Sequence, residues 1–274
     1  MSGGLRAEIL HGDNLALLPG FADGEFQLVY LDPPFNTGRS RGGNAIRVTA
    51  DEQGDRVGFG GRRYRSEPVA GAGYADRFGD YLGFLGPRLV ELRRVLAPTG
   101  TLYLHLDQRE SHRAKLFLDE LFGPECFLNE IIWAYDFGGR SNRRWPAKHD
   151  TILVYVRDPE RYHFDSAAVD REPYMAPGLV TPEKAARGKL PTDVWWHTIV
   201  GTSSRERTGY PTQKPLGVVR RIVAASSRPG DTVLDPFAGS GTLGAAAAEL
   251  GRGYVLIDES AEAVKVMRRR LGAG

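Results

Sequence analysis

Short apolar runs, each stopped by turn residues and separated by stretches of helical period, constrain this chain most tightly. Residues 26–31 are a nearly continuous apolar run that halts at Asp32-Pro33-Pro34-Phe35. Runs of this kind suit strands covered on both faces, as in a parallel sheet. Further runs fall at 7–11, 101–106, 127–135, 151–157, 232–234 and 253–257. Between them, residues 81–96 place Tyr81, Leu85, Leu89, Leu92 and Leu96 on one helical face. Helices are also expected over 110–122, 216–227 and 242–250, with a last one from Ala261. Alternation of strand and helix predicts an open, mostly parallel α/β sheet. Ligands of such sheets bind at the carboxyl ends of the strands.

Two stretches break the pattern. Residues 36–76 are rich in Gly and Arg and poor in apolar residues, with a hairpin expected over 46–64 turning near Gln53-Gly54-Asp55. In 158–207 periodicity fades, broken by Pro159, Pro173, Pro177, Pro182 and Pro191. The reading is therefore one catalytic domain over 1–274 carrying two inserts. Its 274 residues can bury a sufficient core without staples, and the single cysteine, Cys126, excludes a disulfide framework and a multi-cysteine zinc site. Phe122, Phe127 and Leu128 around it point to a buried, inert thiol, and nothing calls for a metal. With no leader-like segment and no long apolar stretch, a cytoplasmic protein without membrane contact is expected.

The chemistry-bearing motifs lie at strand ends. Asp235-Pro236-Phe237-Ala238-Gly239-Ser240-Gly241 follows the run 232–234 and opens a helix. Gly239 and Gly241 allow close backbone approach to a ligand, and Asp258 is placed to accept two ribose hydroxyls. With Gly244 the spacing also spells a dinucleotide fingerprint, so NAD competes as the ligand. Asp235 weighs against NAD, because a carboxylate there repels a pyrophosphate but meets the ammonium of a methionine, as in S-adenosylmethionine. The cation of Lys214 is suited to the methionine carboxylate.

Asp32-Pro33-Pro34-Phe35 poses a second kind of chemistry. Consecutive prolines fix φ and remove two donors, leaving rigidly placed carbonyls. An aromatic amino nitrogen is a poor nucleophile because its lone pair is delocalised into the ring. A carboxylate (Asp32) and a carbonyl (Pro33) accepting its two N–H bonds favour a pyramidal, nucleophilic nitrogen as the transition state develops. Phe35 offers a face on which an extruded base stacks.

These motifs, in this order, resemble the β-class of DNA amino-methyltransferases. Asp32-Pro33-Pro34-Phe35 resembles their D-P-P-Y/F tetrad and Phe237-Ala238-Gly239-Ser240-Gly241 their F-x-G-x-G loop. Thr212-Gln213-Lys214-Pro215 is similar to the T-Q-K-P segment before that loop, and Gly12-Asp13 to a pair whose aspartate binds the cofactor's adenine amino group. The resemblance implies S-adenosylmethionine as cofactor, held by Asp13, Thr212, Gln213, Lys214, Asp235, Phe237, Ala238, Gly239, Ser240, Gly241 and Asp258. It also implies a Rossmann-like methyltransferase sheet of seven strands in the order 3-2-1-4-5-7-6. The sheet would be circularly permuted, so that the chain starts at strand three and ends after strand two. An aspartate-led tetrad is typical of N6-adenine enzymes, with N4-cytosine as the alternative. No Pro-Cys pair is present for C5-cytosine chemistry.

The partner expected is double-stranded DNA. Net charge is only +2, but arginines cluster around the tetrad. Arg39, Arg41, Arg62 and Arg63 lie in the first insert, and Arg140, Arg143, Arg144 and Lys148 form a second group interleaved with Trp145. Guanidinium groups grip phosphates and read guanine edges. The insert at 158–207 falls where the family carries its target recognition region, and its brevity suggests a short site or help from a second subunit, as in a homodimer. A cognate restriction endonuclease is a further partner of such enzymes. Rival readings are a methyltransferase acting on RNA or a glutamine side chain, an NAD-linked oxidoreductase, for which no catalytic His or Tyr–Lys pair stands out, and a non-catalytic DNA-binding module, which has no need of Asp32.

Overall fold

A computed structural model describes residues 4–38, 41–54, 56–57, 63–74 and 76–272; for 41–50, 56–57, 64 and 66–74 it describes the backbone. Eleven strands and seven helices follow in chain order among the described residues. They are β1 (Ala7–His11), α1 (Asn14–Leu17), β2 (Phe26–Leu31), β3 (Arg41–Ala50), β4 (Arg56–Val57), β5 (Arg63–Tyr74), α2 (Tyr81–Val95) and β6 (Leu96–Leu106). Next come α3 (Ser111–Phe122), β7 (Phe127–Ala134), β8 (His149–Val156), α4 (Pro182–Arg187) and β9 (Val194–Trp196). The chain closes with α5 (Leu216–Ser226), β10 (Thr232–Asp235), α6 (Thr242–Glu249), β11 (Gly253–Asp258) and α7 (Ala261–Leu271).

The main sheet runs β1-β11-β10-β2-β6-β8-β7-β9. Neighbours from β1 to β6 are parallel, and β8 alone runs against the rest. Its first seven positions reproduce the expected permuted order, with β1 as strand three and β11 as strand two. The sheet has one strand more than expected. Val194–Trp196 adds to β7, pairing Trp133 with Trp195, whose indole N–H donates to the Thr192 carbonyl at 2.7 Å. So short a strand beside Pro191 has no readable period.

All six residues of β2 are buried, which explains their unbroken apolarity. One face of the sheet packs on Leu85, Leu89 and Leu92 of α2 and Ala114, Leu118 and Phe122 of α3. The other packs on Val219, Ile222 and Val223 of α5, Leu243, Ala246 and Ala247 of α6, and Met267 of α7. Each fully buried leucine or valine contributes about 1.5–3 kcal/mol relative to exposure. The helical face expected over 81–96 is buried throughout, although Leu96 starts β6 rather than ending α2. Cys126 is buried, and burial pushes its thiol pKa up, as expected of an inert residue.

Within 36–76 the expected hairpin is longer. β3 pairs antiparallel with β5, and β4 pairs with the other edge of β5. A turn lies near the expected place, with Gly54 N–H bonded to the Asp51 carbonyl at 2.9 Å, but it leads from β3 to β4 on the opposite edge of β5 rather than between paired strands. Because β1, β11, β10 and β2 are parallel neighbours, their carboxyl ends share one rim of the sheet. Asp13, Asp258, Asp235 and Asp32 are therefore brought together there.

Candidate active site

A cleft of about 1760 Å³ opens on that rim. It is lined by Asp13, the Asp32–Phe35 tetrad, Thr212, Gln213, Lys214, Asp235, Phe237, Ala238, Gly239, Ser240 and Asp258, together with Arg140 and Arg144. Residues far apart in sequence thus share one cavity.

The tetrad is held at both ends. The Tyr81 hydroxyl donates to the Pro34 carbonyl at 2.8 Å. Beyond Phe35 the chain turns through Asn36 at φ 55°, a left-handed conformation that Asn tolerates. Its side chain accepts from Phe78 N–H at 2.8 Å and donates to Glu110 at 2.7 Å. Asp32 has two unlike carboxylate oxygens. Oδ2 accepts from the Lys214 ammonium, whereas Oδ1 is buried with no partner among the described residues. An unmet buried acceptor costs about 1–3 kcal/mol, and this one is left open to an incoming donor. The Lys214 nitrogen also lies 5.0 Å from the Phe35 ring centroid.

Beneath the tetrad runs a buried network that sequence reading missed. Tyr30 Oη meets His105 Nδ1 at 2.9 Å, His105 Nε2 meets Asp150 Oδ2 at 3.2 Å, and Tyr135 donates to Asp150 Oδ1 at 2.9 Å. His105 packs 5.8 Å from Phe35 and 5.5 Å from Trp133. Burial pushes the Asp150 pKa up, but the His105 hydrogen bond and charge and the Lys214 charge outweigh it, and the net direction is down. Burial pushes the Tyr30 hydroxyl well above its ordinary value, with Asp32, Asp235 and Asp150 adding to it. The only sequence signal was polar residues inside two otherwise apolar strands.

The glycine-rich loop is tied to the neighbouring strand end. Gly239 N–H donates to Asp258 Oδ2 and Ser260 N–H to Oδ1, both at 2.8 Å. Asp258 was expected to be free for a ribose. Oδ2 instead spends one lone pair on the loop and Oδ1 one on the N-cap residue of α7, and each keeps another, so the carboxylate is aimed from both sides. Gly239 has φ 49°, and a Cβ there would sit 3.1 Å from the Tyr210 ring. At Gly241, φ 72°, a Cβ would sit 2.9 Å from Met267 Cγ. That glycine makes room for α7 rather than for a ligand, and it does not line the cleft.

Asp235 is fully buried. Burial raises its carboxyl well above the usual range, the Phe237 N–H at 3.0 Å opposes this, and Asp32 and Asp258 add to it. The Asp13 carboxylate caps α1 through Leu15 N–H at 3.1 Å and pairs with Arg88 at 2.8 Å. Arg88 also lies 4.1 Å over Phe84, which stacks on Phe78 at 4.4 Å and faces Phe237 at 6.1 Å. This aromatic wall was not anticipated as a unit, because Phe78 and Phe84 lie before and within α2 while Phe237 lies in the loop after β10.

The segment before α5 is braced internally. Thr212 adopts φ 59°. Gln213 accepts from the Thr208 N–H and hydroxyl at 2.8 Å each and donates to the Glu206 carbonyl at 2.7 Å. Pro215 is the N-cap of α5.

Among the expected DNA contacts, Arg39 and Arg62 lie outside the described residues, as does the side chain of Arg41. Arg63 is exposed and reaches the Gly54 carbonyl at 3.4 Å. Arg140, Arg143 and Arg144 are exposed on the β7–β8 loop with Trp145, which is 95% exposed. Lys148 clasps that loop, donating to the Asp136 and Gly138 carbonyls at 2.8 Å each. No helix among the described residues is long and apolar enough to cross a membrane.

Comparison with known proteins agrees with this fold. The chain is 30% identical over 271 residues to the DNA adenine methyltransferase YhdJ of Escherichia coli (strain K12), covering 96% of this chain and 82% of that protein. It is 29% identical over 256 residues to the type II methyltransferase M.HpaI of Haemophilus parainfluenzae, covering 93% and 70%. Among solved structures, the cytosine-N4-specific PvuII DNA methyltransferase superposes with a TM-score of 0.65 at 14% identity, covering 97% of this chain and 86% of that one. The M1.HpyAVI–SAM complex gives 0.61 at 19% identity, covering 97% and 98%. A family model for N6/N4-type DNA methylases matches residues 26–269. The chain belongs to the N6/N4 DNA methylase family.

Proposed function

We propose that this methyltransferase transfers a methyl group from S-adenosylmethionine to N6 of an adenine extruded from double-stranded DNA. The observation that carries the reading is Asp32 Oδ1, a buried acceptor without a partner at the end of β2, in the same cleft as the Asp235–Asp258 loop. The donor set fits the cofactor. Asp235 faces a methionine ammonium, Asp258 retains lone pairs for a ribose, and Phe84 and Phe237 offer faces for an adenine. Gly239 to Ser240 supply the backbone against which the cofactor lies, with Thr212 and Gln213 shaping the opposite wall. When bound, S-adenosylmethionine supplies an electrophilic methyl group.

The chain's own residues make the amino nitrogen receptive. Asp32 Oδ1 and the Pro33 carbonyl accept its two N–H bonds, which localises the lone pair as the nitrogen pyramidalises. Phe35 stacks on the base, and the Tyr81 bond to Pro34 holds the tetrad in place. Arg140, Arg143 and Arg144 grip phosphates at the mouth, while the inserts at 36–76 and 158–207 contact DNA and select the site.

Adenine and cytosine both present an exocyclic amino group, and the chemistry described serves either. The aspartate-led tetrad and the likeness to a DNA adenine methyltransferase favour adenine. Expression in a host lacking its own DNA methyltransferases, followed by nucleoside mass spectrometry and methylome sequencing, decides the matter. N6-methyladenine at a defined site is expected. N4-methylcytosine alone overturns the base assignment, and unmodified DNA overturns the reading.

A further inference from the structure

Lys214 stands beside the place where the target base is needed. Its ammonium donates to Asp32 Oδ2 and lies 5.0 Å from the Phe35 ring centroid. The proposed reaction uses the other oxygen of that carboxylate, Oδ1, for the amino N–H and the Phe35 ring for stacking, so the ammonium shares Asp32 with the incoming donor and stands beside the ring. The two side chains are only 11% and 17% exposed, so water screens the pair little. While the ammonium stays on Oδ2, it offsets the negative charge that Oδ1 would otherwise offer to the incoming amino group.

The surroundings indicate a second station for this side chain. The Lys214 carbonyl accepts from Thr242 Oγ1 at 3.2 Å, and Thr242 is the first residue of α6, directly after the glycine-rich loop. The backbone is therefore fixed beside the cofactor loop, while the four-carbon side chain can turn either to Asp32 or into the loop's side of the cleft. The Lys214 charge is felt by the buried carboxylates Asp150 and Asp235 as well. A methionine moiety seated with its ammonium at Asp235 brings one more carboxylate into this region and requires a cation for it.

We infer that Lys214 is shared between two carboxylates, resting on Asp32 when the cofactor is absent and moving to the cofactor's methionine carboxylate when it binds. This rests on the methyltransferase reading above. Asp32 then regains its full acceptor strength, and the space beside Phe35 is cleared, only once the methyl donor is in place. Cofactor entry must break the Asp32–Lys214 pair, so Asp32 acts against cofactor binding even though catalysis needs it. Because linkage is reciprocal, the same lysine couples cofactor binding to entry of the base.

The test is a double-mutant cycle on binding of S-adenosylhomocysteine, whose neutral sulfur removes any direct charge effect of Asp32, measured by titration calorimetry without DNA. Asp32→Asn should tighten binding about three- to tenfold by releasing the lysine. Lys214→Met should weaken it about tenfold or more, and Lys214→Arg should keep most of the affinity, which shows that the charge rather than folding is at stake. In the Lys214→Met background, Asp32→Asn should change affinity less than about twofold. An Asp32→Asn protein that binds no more tightly, or the same Asp32→Asn effect with and without Lys214, overturns the inference. Wild-type protein that binds no S-adenosylhomocysteine overturns the underlying reading instead.

Discussion

Gly239 and Gly241 look alike in the sequence, yet the structure predicts opposite consequences of adding a methyl group to each. Both have positive φ, 49° and 72°, so alanine carries a strain of about 1–2 kcal/mol at either position. The neighbours differ. A Cβ at Gly239 approaches Tyr210 across the cleft at 3.1 Å and disturbs the N–H that aims Asp258. A Cβ at Gly241 meets Met267 at 2.9 Å behind the loop, in the core. For a chain of this size each kcal/mol shifts Tm by about 2–4 °C. Both variants should therefore melt about 2–8 °C below wild type, with Gly241→Ala at the larger end. S-adenosylhomocysteine at a hundred times its Kd adds about 2.7 kcal/mol, or roughly 5–10 °C. A tenfold loss of affinity at Gly239→Ala removes about half of that gain, whereas Gly241→Ala should retain it. Differential scanning fluorimetry across a ligand series reads both quantities. If the two variants lose the ligand-induced shift equally, or Gly239→Ala keeps it whole, the assignment of one glycine to the ligand and the other to packing is wrong.

Three further outcomes follow from the site. Burial raises the pKa of Asp235, so its ionised form opposes folding, and that penalty grows as pH rises and fades as the group protonates. Asp235→Asn should therefore raise the apo Tm near pH 7.5, less so in mildly acidic buffer, while abolishing the S-adenosylhomocysteine shift. Asp150 has a lowered pKa in the folded protein, so its contribution is present above the ordinary carboxylate range and lost as pH falls through it. Asp150→Asn should cost about 1–3 kcal/mol in urea unfolding at pH 7, with the difference from wild type shrinking below roughly pH 4. Replacing Arg140, Arg143 and Arg144 together by alanine should lower the slope of log K against log salt for DNA by up to about 2.7, at about 0.9 per lost phosphate contact, with S-adenosylhomocysteine binding unchanged.

Much of the sheet was legible because strands covered on both faces carry no alternation. β2 is buried along its whole length and reads as one apolar block, and the Asp residues ending β2, β10 and β11 mark its rim. Motif order then gave the permuted topology. What escaped reading depends on contacts between distant residues. Arg88 sits on a helix between Leu85 and Leu89, and nothing local shows that its guanidinium meets Asp13 and Phe84. His105 and Asp150 occur on adjacent antiparallel strands, and only that pairing makes them partners. Lys214 was legible as a functional cation but not as the partner of Asp32, since 182 residues separate them in the chain. Val194–Trp196 was too short to show a period.

Asp32 carries the central claim, that an acceptor without a partner at the end of β2 makes an amino nitrogen reactive. The direct measurement is single-turnover transfer of a tritiated methyl group to DNA, at saturating S-adenosylmethionine and enzyme, comparing wild type with Asp32→Asn. The amide is nearly isosteric and leaves Phe35 and the prolines in place, but it can no longer offer a charged acceptor. Loss of one such transition-state contact predicts a rate lower by about a hundredfold or more, with binding of S-adenosylhomocysteine not weakened. An Asp32→Asn enzyme that transfers methyl groups at close to the wild-type rate would contradict the account.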